Sequence, residues 1–172
     1  LLLDNGPVYL SLKTGNTVTF FNVGVRTILT PQDIQNGSIM NASGRKLLAL
    51  FGIDDDRFCN VFNGIPGATG STSPNVDINA LQQLLKSGIG YGYHVIHEFN
   101  SYVKSTKMDA SYLDKSTAIK GPVTVHYGGL TGSGKRIDVK FDTAAYSFKL
   151  NIRDTQGNDG YPTRLMCDFT YR

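Results

Sequence analysis

The sequence predicts a mixed fold, α/β of the α+β kind: a mixed sheet with flanking helices and an antiparallel, β-rich C-terminal half. Three observations predict it. Capping residues followed by apolar faces of helical period crowd into residues 30–90. From residue 121 onward the alternation has period two, in Val123–Tyr127, Ile137–Phe141, Tyr146–Ile152 and Leu165–Tyr171, separated by turns rich in Gly, Asn and Asp. The length, 172 residues, suits one domain with a real core. Within it, residues 1–99 hold a core hairpin and helices, and residues 121–172 an antiparallel meander.

The first thirteen residues read as a β-hairpin. Leu1 to Leu3 are apolar, and Asp4-Asn5-Gly6-Pro7 is turn chemistry, because Asn and Gly tolerate positive φ and Pro fixes its own. Val8, Leu10 and Leu12 then alternate with Tyr9, Ser11 and Lys13, the period of a half-buried strand with its leucines inward. Ser11 and Lys13 leave that strand side by side on one face. Thr17–Val25, β-branched and aromatic, is the next strand. Thr30 caps a short helix with Pro31 in its first turn. Asn41 or Ser43 caps a second helix, with Leu47, Leu48, Leu50 and Phe51 as its apolar face. Asp54-Asp55-Asp56 opens a third, where negative charge suits the helix N-terminus. Metal ligation by these aspartates is the weaker reading.

Residues 64–75 form a Gly/Ser/Thr/Pro surface loop. Asp77 caps a helix bearing Ile78, Leu81, Leu84 and Leu85, with Gly88 as its stop. Tyr91–Phe99 is a strand, so His94 and His97, three apart, point to opposite faces and make no metal pair by themselves. Met108–Asp114 is one short helix. Gly129 to Arg136 nearly spells a phosphate-binding P-loop. Arg136 stands where a Ser or Thr must reach magnesium, and Ile137–Phe141 alternates as a strand rather than opening a helix. A hairpin loop is the better reading, with Lys135 and Arg136 available to a nucleic-acid backbone.

The Ser11-Leu12-Lys13 strand, followed by Thr14-Gly15-Asn16, resembles the second element of the PD-(D/E)XK nuclease motif of type II restriction endonucleases, in the variant carrying serine in place of the acidic residue. The resemblance covers about the first twenty residues. It implies a metal-dependent DNA endonuclease using Mg²⁺ or Mn²⁺ and acting on double-stranded DNA. It assigns Ser11 and Lys13 to catalysis, the Leu12 backbone carbonyl to the metal, and Thr14 and Asn16 to a passing phosphate. The sole glutamate, Glu98, is held as a second metal carboxylate. If the hairpin folds about Asn5-Gly6, paired residue numbers sum to about eleven or twelve. The family's main metal-binding aspartate is then expected upstream of Leu1, and the chain is expected to be the C-terminal portion of a longer nuclease. The resemblance also leaves room for a homodimer.

Charge is unevenly placed. Residues 1–99 carry six basic and seven acidic side chains, and residues 100–172 carry eleven basic and seven acidic. Lys140, Arg153 and Arg164 on the C-terminal strands, with Lys135 and Arg136, are the candidate DNA contacts. No run of eighteen apolar residues exists, so no membrane helix is expected. Cys59 and Cys167 read as buried thiols, which suit a cytoplasmic location; a disulfide is the alternative in a secreted chain. The opposing functional reading is a non-enzymatic β-rich structural or binding module, such as a virion or surface protein, in which Lys13 is an ordinary strand charge.

Overall fold

The computed structural model describes residues 2–3, 6–16, 18–132 and 134–172. Leu1, Asp4, Asn5, Thr17 and Ser133 lie outside the described residues, and with them the turn expected at Asp4–Asn5. The fold is mixed α+β, with five helices flanking antiparallel and mixed sheets among the described residues.

The N-terminal hairpin differs from the expectation. β1 (Leu2–Leu3) pairs antiparallel with β2 (Gly6–Pro7), Leu2 opposite Pro7 and Leu3 opposite Gly6. It stops there. β3 (Leu10–Thr14) instead runs parallel to β6 (His94–Phe99), which pairs antiparallel with β7 (Tyr102–Lys107). Ser11 therefore faces Val95 and Lys13 faces His97, rather than residues at or before the start of the chain. A long-range parallel pairing leaves no local sequence signature, since its two strands are joined through most of an intervening domain.

The second sheet has six strands in the order β4-β11-β10-β9-β8-β5. These are β4 (Val18–Gly24), β11 (Arg164–Tyr171), β10 (Tyr146–Arg153), β9 (Arg136–Thr143), β8 (Ile119–Tyr127) and β5 (Gly70–Thr72). All its neighbours pair antiparallel. One face is apolar: Tyr127, Ile137, Ile152 and Leu165 form one cross-strand row, and Val125, Val139, Leu150 and Cys167 the next. All eight are buried.

The helices close that face. α1 (Pro31–Gln35) is capped by Thr30, α2 (Ala42–Leu50) by Asn41, and α3 (Asp55–Phe62) by Asp54, whose carboxylate accepts from Arg57 N. Asp54 N–H also donates to the Tyr127 hydroxyl at 2.8 Å, which ties the start of α3 to β8. α4 (Ile78–Ile89) is capped by Asp77 and ends at Gly90, not Gly88. Gly88 is a packing residue: a Cβ there would meet the Phe21 ring at 2.5 Å. α5 (Ala110–Thr117) follows, capped by Asp109.

The three-stranded sheet closes one end of the core. His97 and Phe99 stack on Tyr171 with ring centroids 5.4 and 5.5 Å apart, and the Lys104 ammonium sits 3.9 Å from the same ring's centroid. The tight turn between β6 and β7 places Asn100 and Ser101 at positive φ, the geometry of a two-residue hairpin connection. Cys59 and Cys167 are free and buried.

Candidate nucleic-acid interface

Alternation places every second residue of the C-terminal strands on the sheet face opposite the core. Three cross-strand rows result. The first runs Thr124, Lys140, Lys149, Asp168, Thr19 across β8, β9, β10, β11 and β4. The second runs His126, Asp138, Asn151, Met166, Asn22. The third places Arg136, Arg153 and Arg164 directly opposite one another on adjacent strands. Like charges directly opposite in an antiparallel pair oppose folding, by ~0.2–1 kcal/mol each.

Acidic groups compensate part of this charge. Asp138 is buried; Arg136 holds its Oδ1 through Nη2 at 2.6 Å and Nε at 3.1 Å, and Leu130 N–H donates to Oδ2 at 3.1 Å. The loop after β8 thereby folds over the polar face. Asp168 accepts from Thr19 Oγ1 at 2.6 Å and Asn151 Nδ2 at 2.9 Å, with Lys149 Nζ 3.4 Å away. Leu130, Lys140, Lys149 and Asp168 help line a pocket of about 190 Å³ on this face. Arg153 and Arg164 face no carboxylate within ion-pair distance among the described residues. Arg153 Nη2 reaches only Met166 Sδ at 3.9 Å, and its Nε is buried without a partner; Arg164 Nη2 donates to Gln156 Oε1 at 3.4 Å.

Lys13 reaches the edge of the same face. Its Nζ donates to the Thr19 carbonyl at 2.6 Å, while the Thr19 hydroxyl donates to Asp168. Burial lowers the pKa of this half-buried ammonium. The alternation of β3 is inverted relative to expectation: Ser11 and Lys13 are half-buried, whereas Leu10 and Leu12 are exposed. An edge strand whose inner side meets a neighbouring strand's carbonyl is better served by a lysine than by a leucine, because that acceptor would otherwise go unpaired.

The structure brings Arg136, Lys140, Arg153 and Arg164 onto one surface, and Lys13 onto its margin. Thr14 and Asn16 are exposed beyond it. Lys135 stands apart, with its amine 6.0 Å from the Tyr161 ring centroid. Glu98 leaves β6 on the face opposite to Lys13, since it pairs with Thr14 while Lys13 pairs with His97. It and Lys13 therefore do not address one metal ion. Leu12 lies in the ladder opposite Ile96. Among the described residues no three His, Cys, Asp or Glu side chains group as metal ligands. His97, read as a strand histidine, holds the Gly15 carbonyl through Nε2 at 2.6 Å.

The sequence by itself does not point to Asn151, Asp168 and Thr19 as neighbours of these cations. Part of the signal is present in the alternation of Arg136-Ile-Asp-Val-Lys140 and Lys149-Leu-Asn-Ile-Arg153. What joins those strings is their register, which the sequence does not display. Compared with known proteins, the chain matches no family model, no curated sequence and no solved structure. No helix among the described residues is long and apolar enough to cross a membrane.

Proposed function

We propose that the polar face of the six-stranded sheet binds the phosphate backbone of double-stranded DNA. The observation that carries this reading is the row Arg136, Arg153, Arg164, with the Lys140–Lys149 pair four residues along the same strands, two rows away on the same face. Opposed cations cost folding energy, and only Arg136 of the three arginines has a close carboxylate. A polyanion supplies the missing negative charge, and arginine's planar fork suits phosphate oxygens. Thr19 and Thr124 add neutral polar groups in the same row as Lys140 and Lys149.

Hydrolysis of the phosphodiester is a second reading, favoured by one observation. Lys13 shares a face with Ser11, has a pKa lowered by burial, and is anchored at the margin of the basic surface. A bound Mg²⁺ or Mn²⁺ would polarise the phosphate and activate water.

Fluorescence anisotropy of the full chain with a short duplex tests the first reading. Binding is expected to weaken steeply with salt, with a log–log slope of about −0.9 per phosphate contact. The variant Arg153→Met/Arg164→Gln is expected to lose at least tenfold in affinity and to shallow that slope. No duplex binding at low salt, or binding indifferent to the double variant, overturns it. Plasmid nicking in Mg²⁺ that vanishes in Lys13→Ala while duplex binding persists supports the second reading, and its absence from the full chain ends that reading alone.

A further inference from the structure

The outer face of the three-stranded sheet presents an inversion. A sheet with one face on the core ordinarily turns its polar side chains outward. Here β3 turns Ser11 and Lys13 inward and leaves Leu12 73 % and Leu10 45 % exposed, while Val103 on β7 is 70 % exposed. Register fixes how these residues lie. Leu12, Ile96 and Ser105 form the middle row; Leu10, His94 and Lys107 the row at one end; Thr14, Glu98 and Val103 the row at the other. The middle row carries no charge. One end carries Lys107 and His94, and the other carries Glu98. None of the three has an ion-pair partner within reach among the described residues.

We propose that this face is the contact between two copies of the chain. The pattern is complementary to itself. A two-fold axis lying along the middle row, in the plane of contact, stacks the two sheets about 10 Å apart, as sheet faces pack. Leu12 then meets Leu12 of the second copy and Ile96 meets Ile96. The same rotation lays the His94–Lys107 end of each copy over the Glu98 end of the other. The contact is isologous and closed, so it gives a dimer rather than a filament. It buries the leucines that β3 turns outward, and it sets each Glu98 over His94, beside Lys107. Its residues belong to a different sheet from the arginine row, and Lys13 leaves β3 on the other face, so it stands independently of the DNA reading.

Sedimentation velocity of the full chain over a range of micromolar concentrations reads the outcome. The wild type is expected to dimerise. Leu12→Asp, at a side chain largely in solvent, is expected to leave the far-ultraviolet circular dichroism unchanged and to raise the dimer dissociation constant at least tenfold. Glu98→Lys sets cation against cation and is expected to weaken the dimer similarly. His94→Glu/Glu98→Lys returns opposite charges to the same places and restores association. A wild type that stays monomeric overturns the proposal. So does a dimer that survives Leu12→Asp, or a folded double variant that stays as weak as Glu98→Lys.

Discussion

Arg153→Met separates a cation kept for binding from one kept for stability. Arg153 stands directly between Arg136 and Arg164, has a buried Nε with no partner, and makes one weak contact, to Met166 Sδ. Each directly opposed like-charge pair costs ~0.2–1 kcal/mol. Asp138 already neutralises much of Arg136, so the lower half of that range applies on one side. Methionine keeps most of the aliphatic stem and removes the stranded donor, whose desolvation itself costs ~1 kcal/mol or more. The substitution is therefore expected to stabilise the fold by ~1.5–2.5 kcal/mol, a rise of ~3–10 °C in Tm for a domain of this size. Urea denaturation at low and high salt checks the origin. The screening length falls from ~10 Å at 0.1 M to ~3 Å at 1 M, below the ~5 Å between opposed side chains, so the electrostatic part of the gain should disappear in concentrated salt. Duplex affinity is expected to fall in the same variant. A loss of more than about 1 kcal/mol that is equal at both salt concentrations would refute the argument, because Arg153 would then be a packing residue.

Three further outcomes follow from the same structure. Gly88→Ala gains helix propensity, worth ~1 kcal/mol, but drives a Cβ into the Phe21 ring at 2.5 Å; overpacking of this kind costs ~1–3 kcal/mol, so a net loss is expected in chemical denaturation. The Asp159 carboxyl is held down to about 2 from the ordinary 3.8, first by the side-chain hydrogen bond from Arg26, then by the Tyr161 backbone N–H, with attraction to Arg26 adding less. A depressed carboxyl stabilises the fold above its unfolded value and loses that contribution as pH falls through the folded one; the urea midpoints of the wild type and Asp159→Asn are expected to differ at neutral pH and to converge between about pH 4 and 2. Burial pushes the Cys59 thiol up to about 11 and Cys167 well above its usual value, so neither should react with a thiol reagent at pH 8 until denaturant is added, and a titration in denaturant should then count two.

Much of the chain is legible in its sequence because the signals are local. Thr30, Asn41, Asp54 and Asp77 cap the helices they precede, since a short side-chain oxygen finds the free N–H groups of the first turn without help from elsewhere. The meander shows in its alternation and turns for the same reason. The Asp54–Asp56 run needed no metal to account for it: Asp54 caps α3, and Asp55 and Asp56 occupy its first turn. The errors have one cause as well. β7 has no clear signal in the sequence because Tyr102–Lys107 alternates weakly and owes its strand to pairing with β6. Gly88 reads as a stop in the sequence because a glycine looks the same whether it ends a helix or admits a ring.

The candidate surface divides along that line. Local chemistry in the sequence determined that strands β8 to β11 would form, that their odd and even residues would part to two faces, and that the basic residues would gather in the C-terminal half. Tertiary pairing alone decided that Arg136, Arg153 and Arg164 stand in one row, that Asp168 and Thr19 adjoin Lys149, and that β3 lies beside β6 with its leucines outward. Side-chain direction repeats every two residues and is written into each strand. Which strand lies beside which, and in what register, is set by the whole core at once, because a slip of one residue would exchange the buried face for the exposed one.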